Sequence, residues 1–415
     1  MSWLGHLRRL GCSIFNKTLV RFIISRALIT FNAQMLATAV GYELYELTHS
    51  ALWLGLAGFV QFIPRLLFIF LAGTLADTRG RQKIIACTQF VILITCLLLA
   101  VTTKLACITP VVCLFFVFCY GSAYSIQAPS TVSILPTLVE PSRFAKATAF
   151  VTSVLQFVTI AGPAVGGLLY VFGPEIVYLL ISISSGATIF LVLSLEVRKI
   201  TAEAISNRPE SPLAGFRYIR SNPGILGALT LDMFAVLFGG ATALLPVFAK
   251  DVLNADSVAF GFLRAAPAVG ALLTSAILAK FPLKRHTGKK MFLAVVVFAV
   301  AIIFFALSRN ILVSIVLLTI SGAADIVSVV IRSTFVQLKT PDEVRGRVSA
   351  VNMIFIGASN QLGEFESGIV ASGFGALPGV AVGAVPATFF SGICTLVVTG
   401  VWYCKFRDLR ELDRI

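Results

Sequence analysis

Charged residues are scarce in this chain. Asp, Glu, Lys and Arg make up only 13% of its 415 residues, whereas 58% are hydrophobic and the mean hydropathy is +0.94. A soluble globular domain has about 25% charged and about 45–50% apolar residues, so a soluble domain is excluded. The composition indicates a polytopic membrane protein. Because one spanning helix needs about 20 apolar residues, the length allows about twelve of them with short loops.

Residue patterns of common catalytic and metal sites are missing. The three histidines, His6, His49 and His286, lie far apart and none has a ligand-spaced partner. No GxSxG, Walker or HExxH motif occurs, and no histidine has an Asp five residues later, as a membrane acyltransferase would need. We therefore predict no metal, no cofactor and no enzymatic activity. A membrane-embedded enzyme and a receptor without transport activity stay as minor alternatives.

The eight cysteines do not form a framework, because no CxxC pair occurs. Most lie inside apolar runs, where cysteine is a small packing residue. The first residues include two arginines, Arg8 and Arg9, but no apolar core followed by a small-residue cleavage site. A cleaved signal peptide is therefore not expected.

The formal net charge of +14 does not indicate nucleic-acid binding, because the positive residues fall in loops between apolar runs. Of the 33 Lys and Arg residues, 26 lie on one side of the predicted membrane, 3 on the other and 4 within helices. Cytoplasmic loops carry the excess of Lys and Arg. The sequence thus predicts that both termini are cytoplasmic and that nucleic acid is not a partner.

Twelve apolar runs are predicted as spanning helices. They divide the chain into an N-terminal six-helix bundle at 1–195, a cytoplasmic linker at 196–222 and a C-terminal six-helix bundle with a cytoplasmic tail at 223–415. A short surface helix is expected at Pro212–Arg220. The runs are Arg21–Leu47, Leu52–Ala76, Ile84–Thr103, Thr109–Leu138, Ala145–Phe172, Ile176–Leu195, Ile225–Lys250, Val258–Ala279, Met291–Leu307, Ile311–Leu338, Val344–Ser372 and Leu377–Tyr403.

The loop between the second and third runs carries a distinctive motif. Its residues 73–83 read GTLADTRGRQK, with Gly73, Asp77, Gly80 and Arg81 at the characteristic places. Asp77 could accept hydrogen bonds at a neighbouring helix N-terminus, where negative charge is favoured. The alternative is an ordinary basic cytoplasmic loop. The motif resembles the one between helices 2 and 3 of the major facilitator superfamily, where the resemblance implies a gating role.

Predicted helix 5 contains a second motif. Gly162, Pro163, Gly166 and Gly167 resemble the G-P-x-x-G-G element of antiporters in that superfamily. Small residues allow close helix crossing, so we expect a pivot against predicted helix 8. Close packing without sliding is the alternative.

The second half resembles the branch of the superfamily that contains the enterobactin exporter. The similar segments are 231–235 and 244–249, 263–267, 322–325, 340–348 and 360–368. The resemblance implies an all-α membrane protein of twelve helices in two pseudo-symmetric bundles, with helices 1, 4, 7 and 10 lining a central cavity. One departure is that predicted helix 4 lacks the Arg of the R-x-x-x-G motif of many family antiporters.

Charged residues inside the predicted spans are the best functional signal, because each costs about 2.5–3.5 kcal/mol at mid-bilayer unless it faces a cavity or a partner. By the family plan, helices 1, 4, 7 and 10 line the cavity and helices 2, 5, 8 and 11 form the moving seam. All of these charged residues fall on helices of those two sets. Glu364 and Glu366 are two residues apart and point in roughly opposite directions, and we favour Glu364. Glu43 is a weaker candidate, since it could simply be hydrated. The candidates for proton coupling or substrate contact are Asp232, Asp325, Glu364, Glu43, Arg264, Arg332, Arg65 and Arg26, and the candidate polar cavity residues are Asn32, Tyr120, Tyr124 and Gln127.

A buried carboxylate whose cover changes between inward-open and outward-open states could bind a proton on one side and release it on the other. We expect Asp232 or Asp325 to do this, with Arg264 or Arg332 as the alternating partner. The predicted function is a proton-coupled antiporter that exports a small amphiphilic molecule, siderophore or drug-like. A proton-driven importer and a lysolipid flippase are alternatives. The resemblance further implies a monomer in the bacterial inner membrane, with lipid and a small-molecule substrate as partners and the proton gradient as energy source.

Overall fold

The structure, a computed structural model, describes residues 16–78, 80–196, 213–239, 241–281, 285–377 and 382–412. No β-strand occurs in this part of the chain. The long helices are α1 Lys17–Thr48, α2 Ala51–Thr78, α3 Arg81–Lys104, α4 Pro110–Ser133, α5 Pro141–Tyr170, α6 Pro174–Leu193, α7 Pro223–Phe238, α8 Ser257–Lys280, α9 Thr287–Leu307, α10 Ile311–Lys339, α11 Asp342–Gly375 and α12 Ala384–Lys405. Short helices follow α4, precede α7 and follow α12, at Leu135–Leu138, Leu213–Ser221 and Arg407–Arg410.

Eleven helical segments in the described part are long and apolar enough to cross a membrane. One of them is the composite Pro223–Val252, which begins with α7. The long helix that is not among them is α11, whose sequence includes Glu364 and Glu366. The predicted all-α, multi-pass architecture is thereby confirmed, although the twelfth span is not distinguished by its apolar composition.

Helix starts follow local capping chemistry. The Thr109 hydroxyl accepts a hydrogen bond from the Val112 amide at 3.3 Å at the start of α4. At the start of α8, the Asp256 carboxylate accepts from the Ala259 amide at 2.9 Å. Pro141, which begins α5, needs no hydrogen bond at a first-turn position. These caps determine where the helices begin and therefore where the connecting loops end.

Two spans that the sequence predicts as continuous are interrupted. The fourth ends at Ser133 instead of Leu138, because Pro136 has no amide to donate to the preceding turn. The seventh stops at Phe238 and is followed by a 3-10 turn, Ala241–Leu244, and a wide π turn, Phe248–Val252. Gly239 and Pro246 explain this break, since both residues have low helix propensity. The prediction of one helix over Ile225–Lys250 was therefore wrong.

The chain groups into two compact units. The first comprises residues 1–39 and 63–207, and the second comprises residues 40–62 and 208–415. Residues 40–62, the end of α1 and the start of α2, thus belong with the second half of the sequence. The predicted boundaries at 195 and 223 stay a prediction, and residues 197–212 of the linker lie outside the described part.

Each unit has its own apolar core. In the first, Leu19 and Phe22 pack with Ile85, Ile134 and Val192. In the second, α7, α9 and α10 form the core, with residues such as Leu229, Phe292 and Ile331. Many large apolar side chains are instead exposed, among them Phe157, Phe190, Phe304 and Val397. A surface of this kind suits a hydrocarbon solvent, where apolar exposure carries no penalty.

Glycines set the closest helix crossing in the second unit. A Cβ on Gly322 of α10 would overlap the backbone of Pro267 in α8, and a Cβ on Gly270 of α8 would overlap the backbone of Thr319. Small residues permit such an approach in membrane helices. The crossing holds α8 and α10, and therefore Arg264 and Arg332, in fixed register.

Gly322→Val should destabilise the protein by about 1–3 kcal/mol or more, because the added side chain meets backbone that cannot move aside. Thermal unfolding of the detergent-purified protein measures the effect. Gly400→Val in α12 is the matched control, since a Cβ there meets nothing within 4 Å. Equal melting temperatures for the two variants would contradict the close crossing.

Candidate functional site

A buried ion pair joins α7 to α10 in the second unit. The Arg332 Nη1 atom lies 2.5 Å from the Asp232 Oδ2 atom. Their side chains are only 4% and 7% exposed, so neither charge is stabilised by bulk water. At this burial each group depends on the other, because one charge without its partner would carry the full desolvation cost.

Asp325 is a second acid beside this pair. It lines one small pocket together with Asp232 and Ser328, and α9 closes the pocket with Val295 and Phe298. The charges of Asp232 and Arg332 both act on Asp325. Among the described residues, no cation lies within ion-pair distance of its carboxylate. The cluster therefore contains two acids and one arginine.

Arg332 has one hydrogen-bond donor that the ion pair with Asp232 does not use. Its Nε atom is buried and has no hydrogen-bond acceptor in the described part of the chain. Because Arg332 and Asp325 are seven residues apart on α10, they lie on one face about 10 Å apart along the axis. The arginine can thus hold Asp232 and still attract a second carboxylate that loses its proton.

Glu364 and Glu366 of α11 have different neighbours. A Cβ on Gly58 of α2 would lie 2.7 Å from the Glu364 carboxylate, so only glycine leaves room for this side chain. The Glu364 charge also acts on Arg264 of α8. Glu366 acts on Cys394 of α12 instead. The two acids therefore interact with different helices, as expected for residues two positions apart on a helix.

The end of α1 contacts the turn after α7, also within the second unit. The Tyr45 hydroxyl donates a hydrogen bond to the Asp251 carboxylate, and Lys250 Nζ lies 3.4 Å from Glu46 Oε1. Glu43 is buried at 4% exposure, so the alternative that it is hydrated does not hold. Sequence reasoning missed Tyr45, Asp251 and Gly58, because none lies in a recognised motif.

In the first unit, Arg26 of α1 lies near Tyr124 of α4, and the charge of Tyr124 acts on it. The Tyr124 ring stacks on the ring of Tyr120, with centroids 6.1 Å apart and planes at 15°. Gln127 is only 1% exposed and accepts a hydrogen bond from Gln89 at 2.9 Å. The structure thus brings Arg26 and the two tyrosines together and uses Gln127 to join α4 to α3.

Asn32 has a structural position. Its side-chain oxygen accepts a hydrogen bond from the Ser184 hydroxyl at 2.6 Å, and its amide donates to the Ser185 hydroxyl at 3.4 Å. Asn32 is 3% exposed. These contacts tie α1 to α6 and leave Asn32 little freedom to meet a cargo.

The antiporter-like motif packs on α1. A Cβ on Gly162 would lie 2.5 Å from Gln34, and one on Gly166 would lie 3.3 Å from Met35. Pro163 and Gly167 are buried beside them. These two glycines therefore approach α1 closely, because the Cβ direction of each faces α1. The expected pivot against predicted helix 8 stays a prediction.

The gating motif is described in part. Gly80 precedes α3 in an extended conformation, and Arg81 donates a hydrogen bond to the Ser133 carbonyl at 2.8 Å, which joins α3 to the end of α4. Gly73 and Asp77 lie within α2, but the Asp77 side chain and all of Arg79 lie outside the described residues. The expected hydrogen bonds of Asp77 stay a prediction. Arg65 of α2 is half-buried next to Pro64.

A family model matches residues 14–408, nearly the whole chain, and its description is "Transmembrane secretion effector". Among curated proteins, the Staphyloferrin A transporter of Staphylococcus aureus is 24% identical over 378 residues, covering 89% of this chain and 92% of that protein. The Enterobactin exporter EntS of Escherichia coli O1:K1 / APEC is 24% identical over 359 residues, covering 85% and 84%.

Solved structures share the fold. A bacterial homologue of the human lysosomal transporter Spinster, inward-facing and occupied, superposes with a TM-score of 0.75 at 14% identity, over 94% of this chain and 96% of that one. The nucleoside transporter NupG gives a TM-score of 0.73 at 15% identity, over 94% and 100%. The D-xylose-proton symporter gives 0.69 at 12% identity, over 94% and 98%. The predicted all-α fold of a multi-pass transporter is thus confirmed.

Arg332→Gln should lower the free energy of unfolding by about 3–5 kcal/mol, because it leaves the Asp232 carboxylate buried and unpaired. Asp232→Asn combined with Arg332→Gln should recover part of the loss. Thermal unfolding in detergent is the measurement. The exposed tail pair Arg407–Glu411, 2.8 Å apart, supplies the control, since Arg407→Gln should leave the melting temperature unchanged. A single variant as stable as the wild type would contradict the buried pair.

Proposed function

The chain belongs to the major facilitator superfamily, and from that premise we propose that it is a proton-coupled antiporter that exports a small amphiphilic molecule. Two relatives named for siderophores, at 24% identity over most of the chain, support a siderophore or a drug-like compound as the cargo. The excess of Lys and Arg on one side supports cytoplasmic termini. The protein then lies in the bacterial inner membrane and acts as a monomer.

The observation that carries the proposal is the unequal cover of two neighbouring acids. Asp232 is held by Arg332, whereas Asp325 borders the same pocket without an ion-pair partner among the described residues. A carboxylate in a poorly hydrated site is stable when it is protonated or when it is paired. Asp325 is therefore the proton carrier, and Asp232 is the fixed charge that keeps Arg332 in place.

The coupling step follows from this assignment. In one state Asp325 carries the proton and Arg332 serves Asp232 alone. When Asp325 releases the proton, the new carboxylate attracts the Arg332 Nε donor, which otherwise has no acceptor in the described chain. Because Arg332 also holds Asp232 of α7, this attraction moves α10 relative to α7, so proton release favours one conformation over the other.

Glu364 of α11 is the second acid that contributes to the transport cycle, through the contact between α11 and α2. α2 lies against α11 at two places. Gly58 leaves room for the Glu364 side chain, and Gly55 crosses Gly368, where a Cβ added to Gly55 would lie 3.0 Å from the Gly368 Cα atom. The Tyr45–Asp251 hydrogen bond and the Lys250–Glu46 pair act near the end of α1. These polar contacts can break in water and re-form at modest cost. They suit a contact that opens in each transport cycle.

Asp325→Asn should abolish accumulation driven by a pH gradient, because the amide cannot exchange a proton. Inside-out membrane vesicles with an acidic lumen, loaded from outside with an iron-free catecholate siderophore or a lipophilic cationic dye, measure it. Counterflow without a gradient should persist, and the exposed tail variant Asp408→Asn should behave as wild type. Asp232→Asn should also lose coupling, through loss of Arg332 position.

Retained gradient-driven transport in both Asp325→Asn and Asp232→Asn would remove the proton mechanism. Accumulation only in right-side-out vesicles would favour the proton-driven importer. Movement of a fluorescent lysolipid between leaflets, with neither probe accumulated, would favour the lysolipid flippase.

A further inference from the structure

The two units differ in the acids that they hold within their spans. In the described part of the first unit, the acids are Asp77, Glu140, Glu175 and Glu196, and each lies at or beside a helix end. The cation Arg26 lies nine residues beyond the start of α1, roughly 14 Å along its axis. The second unit instead holds Asp232, Asp325, Glu364 and Glu366 within its spans.

Arg26 has no counter-ion in the described chain. It makes no ion pair and no hydrogen bond there, and the ionisable group near it is the Tyr124 phenol. It is nevertheless only half-buried. Tyr124 packs against the core cluster that includes Phe22 and Ile29 of α1, and these two residues share a helix face with Arg26. An arginine at bilayer depth is tolerated where it faces a water-filled path or a partner. Its uncompensated charge calls for an anion.

The surroundings narrow the class of anion. The Arg fork matches the two oxygens of a carboxylate, which it binds in a bidentate way. Tyr124 is half-buried, and its ring stacks on the ring of Tyr120. Gln127 and Asn32 are committed to Gln89 and Ser184. In the described chain, the polar groups here without a hydrogen bond or ion pair are thus the Arg26 guanidinium and the Tyr124 phenol.

We propose that Arg26 and Tyr124 form a binding site for the carboxylate of an amphiphilic organic anion, which is the cargo. Arg26 binds both carboxylate oxygens, the Tyr124 hydroxyl donates to one of them, and the Tyr124 ring packs on the apolar part. The assignment rests on the proposed transport function and specifies the substrate class. The first unit then recognises the charge of the cargo, while Asp325 in the second unit handles the proton.

Isothermal titration of the full-length protein in detergent tests the site with two matched probes, 4-phenylbutyrate and its neutral amide, 4-phenylbutyramide. The wild type should bind the carboxylate and prefer it to the amide. Arg26→Gln should weaken carboxylate binding roughly 10- to 100-fold, the loss expected for a charge-assisted contact, with the amide unaffected. Lys104→Gln, which removes an exposed cation at the end of α3, is the control and should match the wild type.

Arg26→Lys provides a second variant that keeps the charge, in case Arg26→Gln does not fold. It should keep the preference for the carboxylate with weaker binding, because it lacks the fork. A wild type that does not prefer the carboxylate, or an Arg26 variant with unchanged affinity, overturns the proposal. Tighter binding of phenyl phosphate than of 4-phenylbutyrate, lost in Arg26→Gln, would overturn the carboxylate assignment in favour of a phosphate.

Vesicle transport separates this inference from the proposed function. If the wild type accumulates an iron-free carboxylate siderophore under a pH gradient and Arg26→Gln does so equally well, the anion site is wrong and the exporter stands. If the wild type accumulates neither transport probe, the proposed function fails whatever the titration shows.

Discussion

The ion pair between Asp232 and Arg332 is the interaction on which the second unit depends. It lies between two membrane helices with both side chains nearly inaccessible, so neither residue can change independently. Desolvation makes the pair costly to create and more costly to break. Its presence is consistent with a functional requirement, because an apolar pair of similar volume would hold α7 to α10 at least as well. We propose that this requirement is the role of Asp325 as proton carrier, because the pair sets the environment of Asp325.

We propose that two sets of helices perform two different tasks. In the first unit, an arginine without a counter-ion and a stacked tyrosine pair offer recognition of an anion. In the second, acids outnumber the cations that they can pair with inside the spans. Charged groups at bilayer depth are expensive, so it is informative that the acids within the described spans belong to the second unit. A transporter that exchanges a proton for an organic anion would need such a division.

The sequence was a good guide to the elements and a poor guide to their contacts. Apolar runs located the long helices, and the motif at Gly73–Lys83 indicated the superfamily. The break after Phe238 was missed, because apolar composition continues through Gly239 and Pro246 although the hydrogen-bond pattern does not. The close approach of Gly162 to α1 was also missed, since a glycine pattern shows that something approaches closely but not which helix does so.

The sequence also could not predict which of the two acids forms an ion pair. Asp232 and Asp325 looked alike as single carboxylates in apolar helices, and Arg264 and Arg332 looked alike as candidate partners. The choice depends on side-chain directions across three helices, which spacing within one helix cannot give. Gly58 shows the same limit, because its role as a cradle exists only when Glu364 is brought against it.

The central claim is that Asp325, and not Asp232, carries the exchangeable proton. Infrared difference spectroscopy of the reconstituted protein between acidic and alkaline pH tests it directly, through the carbonyl band of a protonated carboxylic acid. We predict a pH-dependent band that is present in the wild type and in Glu366→Gln, and absent in Asp325→Asn. A band that persists in Asp325→Asn and disappears in Asp232→Asn would contradict the account.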